Sequence, residues 1–365
     1  YAYSLCQIPL GILIDCVGVR KTAITSMILC ISGAFLLSFA PTLGALQLSR
    51  VLVGMGSACA FICALKIIID HLPVGNRGFL MGATLTLGTV GALIAGKPLA
   101  LLADTVGWRQ SISDVAFLGL FILSIAVLVL PKAKKESLIP ISIEMPAKIG
   151  RSLIQVLTSR SVMMYAILAI SIYTPLSVLA DLWGVAFLMQ KYGLVRAEAA
   201  KISMMVYLGL GLGSLVLPWL SEKYHVLNGS IRLGIIGVLI VFALLLYGPV
   251  ISPAFLMVLL TLLGIFCGAE MLCFTGAGQH TTIHNVGTTL GVVNTLNMLG
   301  GGLLQQAIGY GLDKLWDGKT DSFGVRLYST AEYTQALSVL MIIVVICCLL
   351  SFKLPKDKVV DYERT

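Results

Sequence analysis

Long apolar runs separated by short polar turns dominate this chain, and what repeats is a length of run rather than an alternation of residue types. Apolar spans fall near residues 1–14, 22–40, 43–71, 79–103, 112–131, 160–190, 199–221, 232–248, 253–280, 287–311 and 334–353. Most are about 20 residues long, which at about 1.5 Å per residue carries a helix across a hydrocarbon layer of about 30 Å. The pattern predicts an all-α membrane protein with eleven visible spans. Only about ten residues of the first run precede the polar turn near Asp15, enough for about half of the layer, so a further segment is expected before Tyr1. Boundaries follow the same pattern: a helical bundle over 1–131, a linker over 132–159, a second bundle over 160–354 and a tail over 355–365. The linker carries a Lys cluster, Pro140 and Pro146. Ile149, Leu153 and Leu157 then follow at helical spacing, which predicts an amphipathic helix over 147–158 lying in the interface.

Composition agrees with a lipid-embedded chain. Hydrophobic residues make up 58%, charged residues 12%, and mean hydropathy is +0.97, whereas soluble domains are about 25% charged. With the turn at 15–21 placed on the cytoplasmic side, fifteen of the 25 Lys and Arg fall in cytoplasmic segments and seven on the opposite side. That asymmetry predicts a cytoplasmic C-terminus by the positive-inside rule. The net charge of +8 then reports orientation and lipid headgroups. It does not point to nucleic acid, because the cations are scattered over separate loops. The nine cysteines (Cys6, Cys16, Cys30, Cys59, Cys63, Cys267, Cys273, Cys347, Cys348) fall in spans or on the inner side with no C-x-x-C, and read as reduced core residues.

The most informative turn is Gly11-Ile-Leu-Ile-Asp15-Cys-Val-Gly18-Val-Arg20-Lys21. Glycines let helix ends approach, the acid sits near a helix end, and the cations hold the turn on the negative face of the membrane. The segment resembles the signature loop of the major facilitator superfamily, G-x-L-x-D-(R)-x-G-(R)-(R/K)-(K). It departs from that pattern at Cys16 and Val19, which stand where cations are usual, so a reduced charge network is expected. Leu48-Ser-Arg50-Val-Leu-Val-Gly54-Met-Gly56 is similar to the family's fourth-helix motif, and Asp104-Thr-Val-Gly107-Trp108-Arg109 to the ending of its fifth. The antiporter glycine-proline motif is partial, with Lys97 interrupting Gly96 and Pro98.

Two internal matches support a duplicated plan: Pro98–Asp104 with Ala307–Asp313, and Gly11–Asp15 with Pro218–Glu222. The resemblance implies two pseudo-symmetric bundles of six helices, twelve in all, rocking about a midplane site. It also implies gating by Gly11, Asp15, Gly18, Arg20 and Lys21. Asp70 falls where the family often places an acid facing that loop, within reach of Arg20 or Lys21.

Polar residues inside spans are the candidates for the site itself, since each is costly in lipid. Asn294, Asn297, Gly301 and Gln305 are spaced by three, four and four, which puts them on one helix face, either lining a cavity or bonding to a neighbouring helix. Glu270 has no cation within four residues along its helix. Desolvation disfavours its anion there, which suits reversible protonation, against a role in packing alone. Asp181 and Trp183 follow the kink expected at Pro175, with Asp181 a substrate contact or gate, or a solvated acid. Arg50 is read as deeply buried and assigned with Glu270 to proton coupling. Lys66 reads either as a snorkelling cation or as one half of a local ion pair with Asp70, and Lys97 as a cation that reaches the outer surface.

Other chemistry is disfavoured. His280 and His284 have helical spacing but no carboxylate or Cys nearby in the sequence to make a metal site, and Asp313, Asp317 and Asp321 do not have the spacing of a calcium loop. No phosphate-cradling loop, catalytic triad motif or cofactor signature occurs. The predicted protein is a monomeric secondary transporter without cofactor or metal, whose partners are a small polar or charged organic solute, a coupling proton and the membrane lipids. Proton-coupled uptake in a bacterial inner membrane is preferred. Antiport efflux, and a non-transporting sensor of the same fold, remain as alternatives.

Overall fold

The computed structural model describes residues 1–72, 76–95, 97–131, 145–320 and 326–355. Gly96, the side chains of Lys97, Asp104 and Ile149, linker residues 132–144, Asp321 and the tail beyond 355 lie outside the described residues. The described chain is helical throughout apart from one isolated bridge between Thr320 and Arg326. The helices are α1 (Ala2–Val17), α2 (Val19–Phe39), α3 (Leu43–His71), α4 (Arg77–Ala95), α5 (Lys97–Val106), α6 (Trp108–Val129) and α7 (Met145–Thr158). They continue as α8 (Arg160–Tyr192), α9 (Arg196–Tyr224), α10 (Leu227–Tyr247), α11 (Pro253–Gln279), α12 (Val286–Leu315) and α13 (Thr330–Ser351).

Among the described residues, eight helices are long and apolar enough to cross a membrane: α2, α3, α6, α8, α9, α10, α11 and α13. The three other predicted spans correspond to the shorter apolar α1, to α4 with α5, and to α12. At 30 residues α12 has ample length, but its Thr, Asn, Gln and Gly positions dilute its hydropathy. Each predicted span therefore has a helical counterpart. Side chains that a soluble protein would hide point outward, as along α6, where Phe117, Phe121 and Leu128 are 58, 64 and 83% exposed. Lipid is the solvent that makes such a surface stable.

Helix ends follow local chemistry. The Thr42 hydroxyl caps α3 by accepting from Ala45 N at 3.3 Å, and Ser329 with Glu332 forms a capping box at α13. Gly18 joins α1 to α2 with φ of 89°, a conformation that strains any residue with a Cβ.

The chain forms two compact units that are not continuous in sequence. The first comprises Tyr1–Arg77, Leu87–Met163 and Ala277–Thr295, and the second Gly78–Thr86, Met164–Gly276 and Leu296–Thr365. Within the first, α2 packs against α3 and α6, and the Gly56 Cα faces the Cys30 and Ser26 backbone of α2 too closely for any Cβ. Helix α7 lies here as well. Among its described side chains Val156 is buried, while Leu157, on the face predicted to lie in the interface, is 43% exposed. Gln155 accepts a hydrogen bond from Asn285 Nδ2 at 3.3 Å.

In the second unit, α9 lies against α11 through glycines on both sides. A Cβ on Gly209 would meet Thr261 O, one on Gly213 would meet Ile265, and one on Gly264 would meet Val206 O. Backbones in such contact leave no room to repack, which is how small residues bind helices in lipid. Gly213→Leu is expected to cost at least about 1–3 kcal/mol of stability, read as a lower melting temperature in detergent with Gly229→Leu, where an added Cβ would meet only Val226 at an ordinary contact of 3.5 Å, as the control.

Candidate functional site

Two polar constellations lie inside the helices. The first is built on α1, α3 and the start of α12, all within the first unit. The glycine at position 11 lets α1 approach α12 until a Cβ would collide with Gly287 O. That approach carries Asp15, which is fully buried, to the first turn of α12. Its carboxylate accepts from Gly287 N at 2.9 Å, Thr288 N at 2.7 Å and Thr288 Oγ1 at 2.9 Å. An anion on free N–H groups at the positive end of a helix dipole is held strongly. Lys66 stands beside it, 2% exposed, with Nζ 3.7 Å from Asp15 Oδ1 and 3.1 Å from Asp70 Oδ1.

The turn's own cations are placed differently from expectation. Arg20 donates to Val127 O at 2.6 Å and Leu130 O at 3.3 Å, at the end of α6, and Lys21 is exposed. Arg20 thus satisfies carbonyls at a helix C-terminus, and Asp70 pairs with Lys66. Of the two readings of Lys66, the local pair with Asp70 is the one found and snorkelling is not, because its ammonium ends in a buried acid pair instead of at the surface.

The related segment ending in Glu222 does the same work in the second unit. The Glu222 carboxylate accepts from Gly78 N and, at 3.4 Å, from Phe79 N, capping the first turn of α4. The faint internal match between Gly11–Asp15 and Pro218–Glu222 thus corresponds to one repeated contact, a carboxylate on the N-terminus of another helix.

The second constellation surrounds a break in α8. Pro175 has no N–H to donate, and residues Ser177–Trp183 follow it as a π-helix, a widened turn that frequently marks functional sites. Its side chains reach α9 and α12. Tyr207 OH donates to Asp181 Oδ1, and Asp181 is exposed. Gln305 Nε2 donates to Ser177 O at 3.0 Å and to its Oγ at 2.8 Å, and Trp183 Nε1 donates to Gln305 O at 3.1 Å. The Trp183 ring lies over Gly309, where an added Cβ would come within 3.0 Å. Deeper in this unit, Asn297 Nδ2 donates to Glu270 Oε1 at 2.5 Å, with the two residues 0 and 5% exposed. None of the ion pairs among the described residues involves Glu270.

The stripe expected along α12 therefore divides into separate environments. Asn294 belongs to the first unit and is 2% exposed, Asn297 serves Glu270, Gly301 lies against the Tyr173 ring, and Gln305 supports the π-helix. Arg50 is exposed, not buried. Along the first half of α3, Leu43–Ser57, the buried residues are Ser49 and Gly56, and Arg50 lies a step of about 100° away from Ser49. Sequence reasoning missed Tyr207, Ser177 and Thr288. No spacing rule connects them to their partners, which sit on other helices.

Comparison with known proteins decides the family. The profile described as Major Facilitator Superfamily matches residues 1–304. The chain belongs to the major facilitator superfamily. Among individual proteins, it is 28% identical over 111 residues to a probable sulfoacetate transporter, SauU, of Cupriavidus necator, covering 30% of this chain and 26% of that one. A probable L-galactonate transporter of Escherichia coli K12 is 27% identical over 121 residues, 33% of this chain and 27% of that protein. The matched part thus spans about a quarter of these relatives' lengths. The Escherichia coli fucose:proton symporter FucP is 14% identical with a TM-score of 0.73, over 96% of this chain and 88% of that structure. At that identity it shows the fold. This superfamily member is a multi-pass membrane protein of a transporter family, and not one of an enzyme family.

The tempting metal patterns acquire other partners. Asp313 accepts from Arg326 at 2.5 Å and from Tyr328 at 2.6 Å. Asp317 accepts from the Lys319 ammonium at 2.6 Å, which holds its carboxyl below the ordinary aspartate range. Among the described residues no cluster of three or more His, Cys, Asp or Glu is placed to hold a metal ion.

Proposed function

We propose that this protein is a secondary active transporter that takes up a small polar or charged organic solute together with a proton by alternating access. The observation that carries the proposal is the Glu270–Asn297 contact. A carboxyl group 5% exposed inside a membrane helix, held by one neutral donor and no ion pair among the described residues, is suited to carry a proton, since its charged form is costly unless water or a cation reaches it. The names of the relatives agree in kind: a sulfonated acid, a sugar acid, and a sugar moved with a proton.

Asp181, Tyr207, Trp183 and Gln305 then form the solute contact, offering an exposed acceptor, a phenol, an aromatic edge and an amide. Such a set suits a hydroxyl-rich solute. The helix caps at Asp15 and Glu222 act as gates, with Gly11 and Gly18 permitting the close approach and the turn. The reading places the C-terminus in the cytoplasm of a bacterium, with a single chain as the working unit.

The test is purified protein in liposomes with an imposed pH gradient, supplied in turn with labelled aldonic acids, short sulfonates and neutral sugars. Uptake of one class that rises with the inward proton gradient supports the reading. Uptake that falls under that gradient, with efflux favoured, supports antiport instead. Binding without flux of any of them would identify a sensor.

A further inference from the structure

The cap on α12 contains a charge that the signature turn does not supply. Cys16 and Val19 occupy two of its cation positions, Arg20 is committed to carbonyls of α6, and Lys21 is exposed. Yet Asp15 is fully buried and Asp70 lies within 3.1 Å of the same ammonium that is 3.7 Å from Asp15. Two carboxylates this close in a dry site repel each other and disfavour ionisation of both. A cation between them is required if Asp15 is to remain an anion and hold the α12 amides.

We propose that Lys66 is the missing cation of this gate, supplied from α3, and that it positions the Asp15 carboxylate on the first turn of α12. The proposal rests on the gate reading given above. Lys66 contacts every part of the contact: Asp15 on α1, Asp70 one turn along its own helix, and the Ile283 carbonyl at 3.2 Å, three residues before α12 begins. It therefore ties the chain entering α12 to α3 while neutralising the acid that caps α12. Removing one member of a buried, hydrogen-bonded charge pair leaves the other uncompensated. Loss of Lys66 should release the cap even though Asp15 and the α12 amides are all still present.

Hydrogen–deuterium exchange of full-length protein in nanodiscs reads this contact directly, because Gly287 N and Thr288 N are the amides that Asp15 covers. Lys66→Met is expected to speed exchange of the 286–291 amides by on the order of tenfold or more, as weakening a buried charge pair implies. Amides of α10 should be unchanged, and Lys66→Arg, which keeps the charge, should stay close to the parent. Asp15→Asn serves as the reference for an open gate. If Asp15→Asn speeds exchange and Lys66→Met does not, the assignment of Lys66 is wrong while the gate stands. If neither variant changes the 286–291 amides, the gate reading fails with it. Faster exchange in α10 as well, or a Lys66→Arg variant as fast as Lys66→Met, means that Lys66 serves general packing and overturns the proposal.

Discussion

Glu270→Gln is expected to abolish solute accumulation driven by a pH gradient while leaving exchange of labelled for unlabelled solute intact. The glutamine keeps an oxygen for Asn297 Nδ2, which now reaches Glu270 Oε1 at 2.5 Å, so the packing of α11 on α12 is preserved. What disappears is the ability to release a proton. In alternating access, a carboxyl group that meets water on one side and a dry, amide-lined site on the other binds its proton with different affinity in the two states, and that difference couples the gradient to the solute. One coupled proton across one pH unit is worth about 1.4 kcal/mol, enough for about tenfold accumulation. The variant should therefore fall from about tenfold accumulation to none, at unchanged exchange. Accumulation at the parental level would remove Glu270 from the coupling path. Loss of both activities would place it in solute binding or in folding.

Asp15→Asn should have the next largest effect, through the conformational equilibrium rather than the solute site. The carboxylate accepts three hydrogen bonds from Gly287 and Thr288 and neighbours Lys66. An asparagine offers one acceptor oxygen in place of two and presents an NH₂ group to the donors of α12. Breaking a buried, charge-assisted set of this kind costs about 3–5 kcal/mol, a shift of more than a hundredfold between states of an alternating-access cycle. The state in which α1 and α12 touch should be depopulated. Flux should fall at least tenfold at similar protein yield, and a cysteine introduced at the start of α12 should become open to membrane-impermeant maleimide. Normal flux with unchanged labelling would exclude the gate.

How much of this was legible beforehand follows from the range of each interaction. Span number, helical class and approximate boundaries were readable because lipid imposes a length and a hydropathy on each crossing, and these are local properties. The turn at Gly18 was readable for the same reason, since its φ of 89° is a property of one residue. The family was readable because its signature turn is a compact run of residues.

Tertiary structure decided the rest. Arg50 and Lys66 are both lone cations in the same helix, and sequence ranked Arg50 as the buried one. The fold reverses them, because burial depends on which face of α3 meets its neighbours, and only Lys66 finds carboxylates there, at 3.7 and 3.1 Å. Asn294, Asn297, Gly301 and Gln305, at helical spacing, read as one polar face, yet Glu270, Tyr173 and the π-helix each claim a different member. Helical periodicity sets which residues share a face. The neighbouring helices, hundreds of residues apart in the chain in the case of Asp15 and Thr288, supply the partners that determine what each residue does.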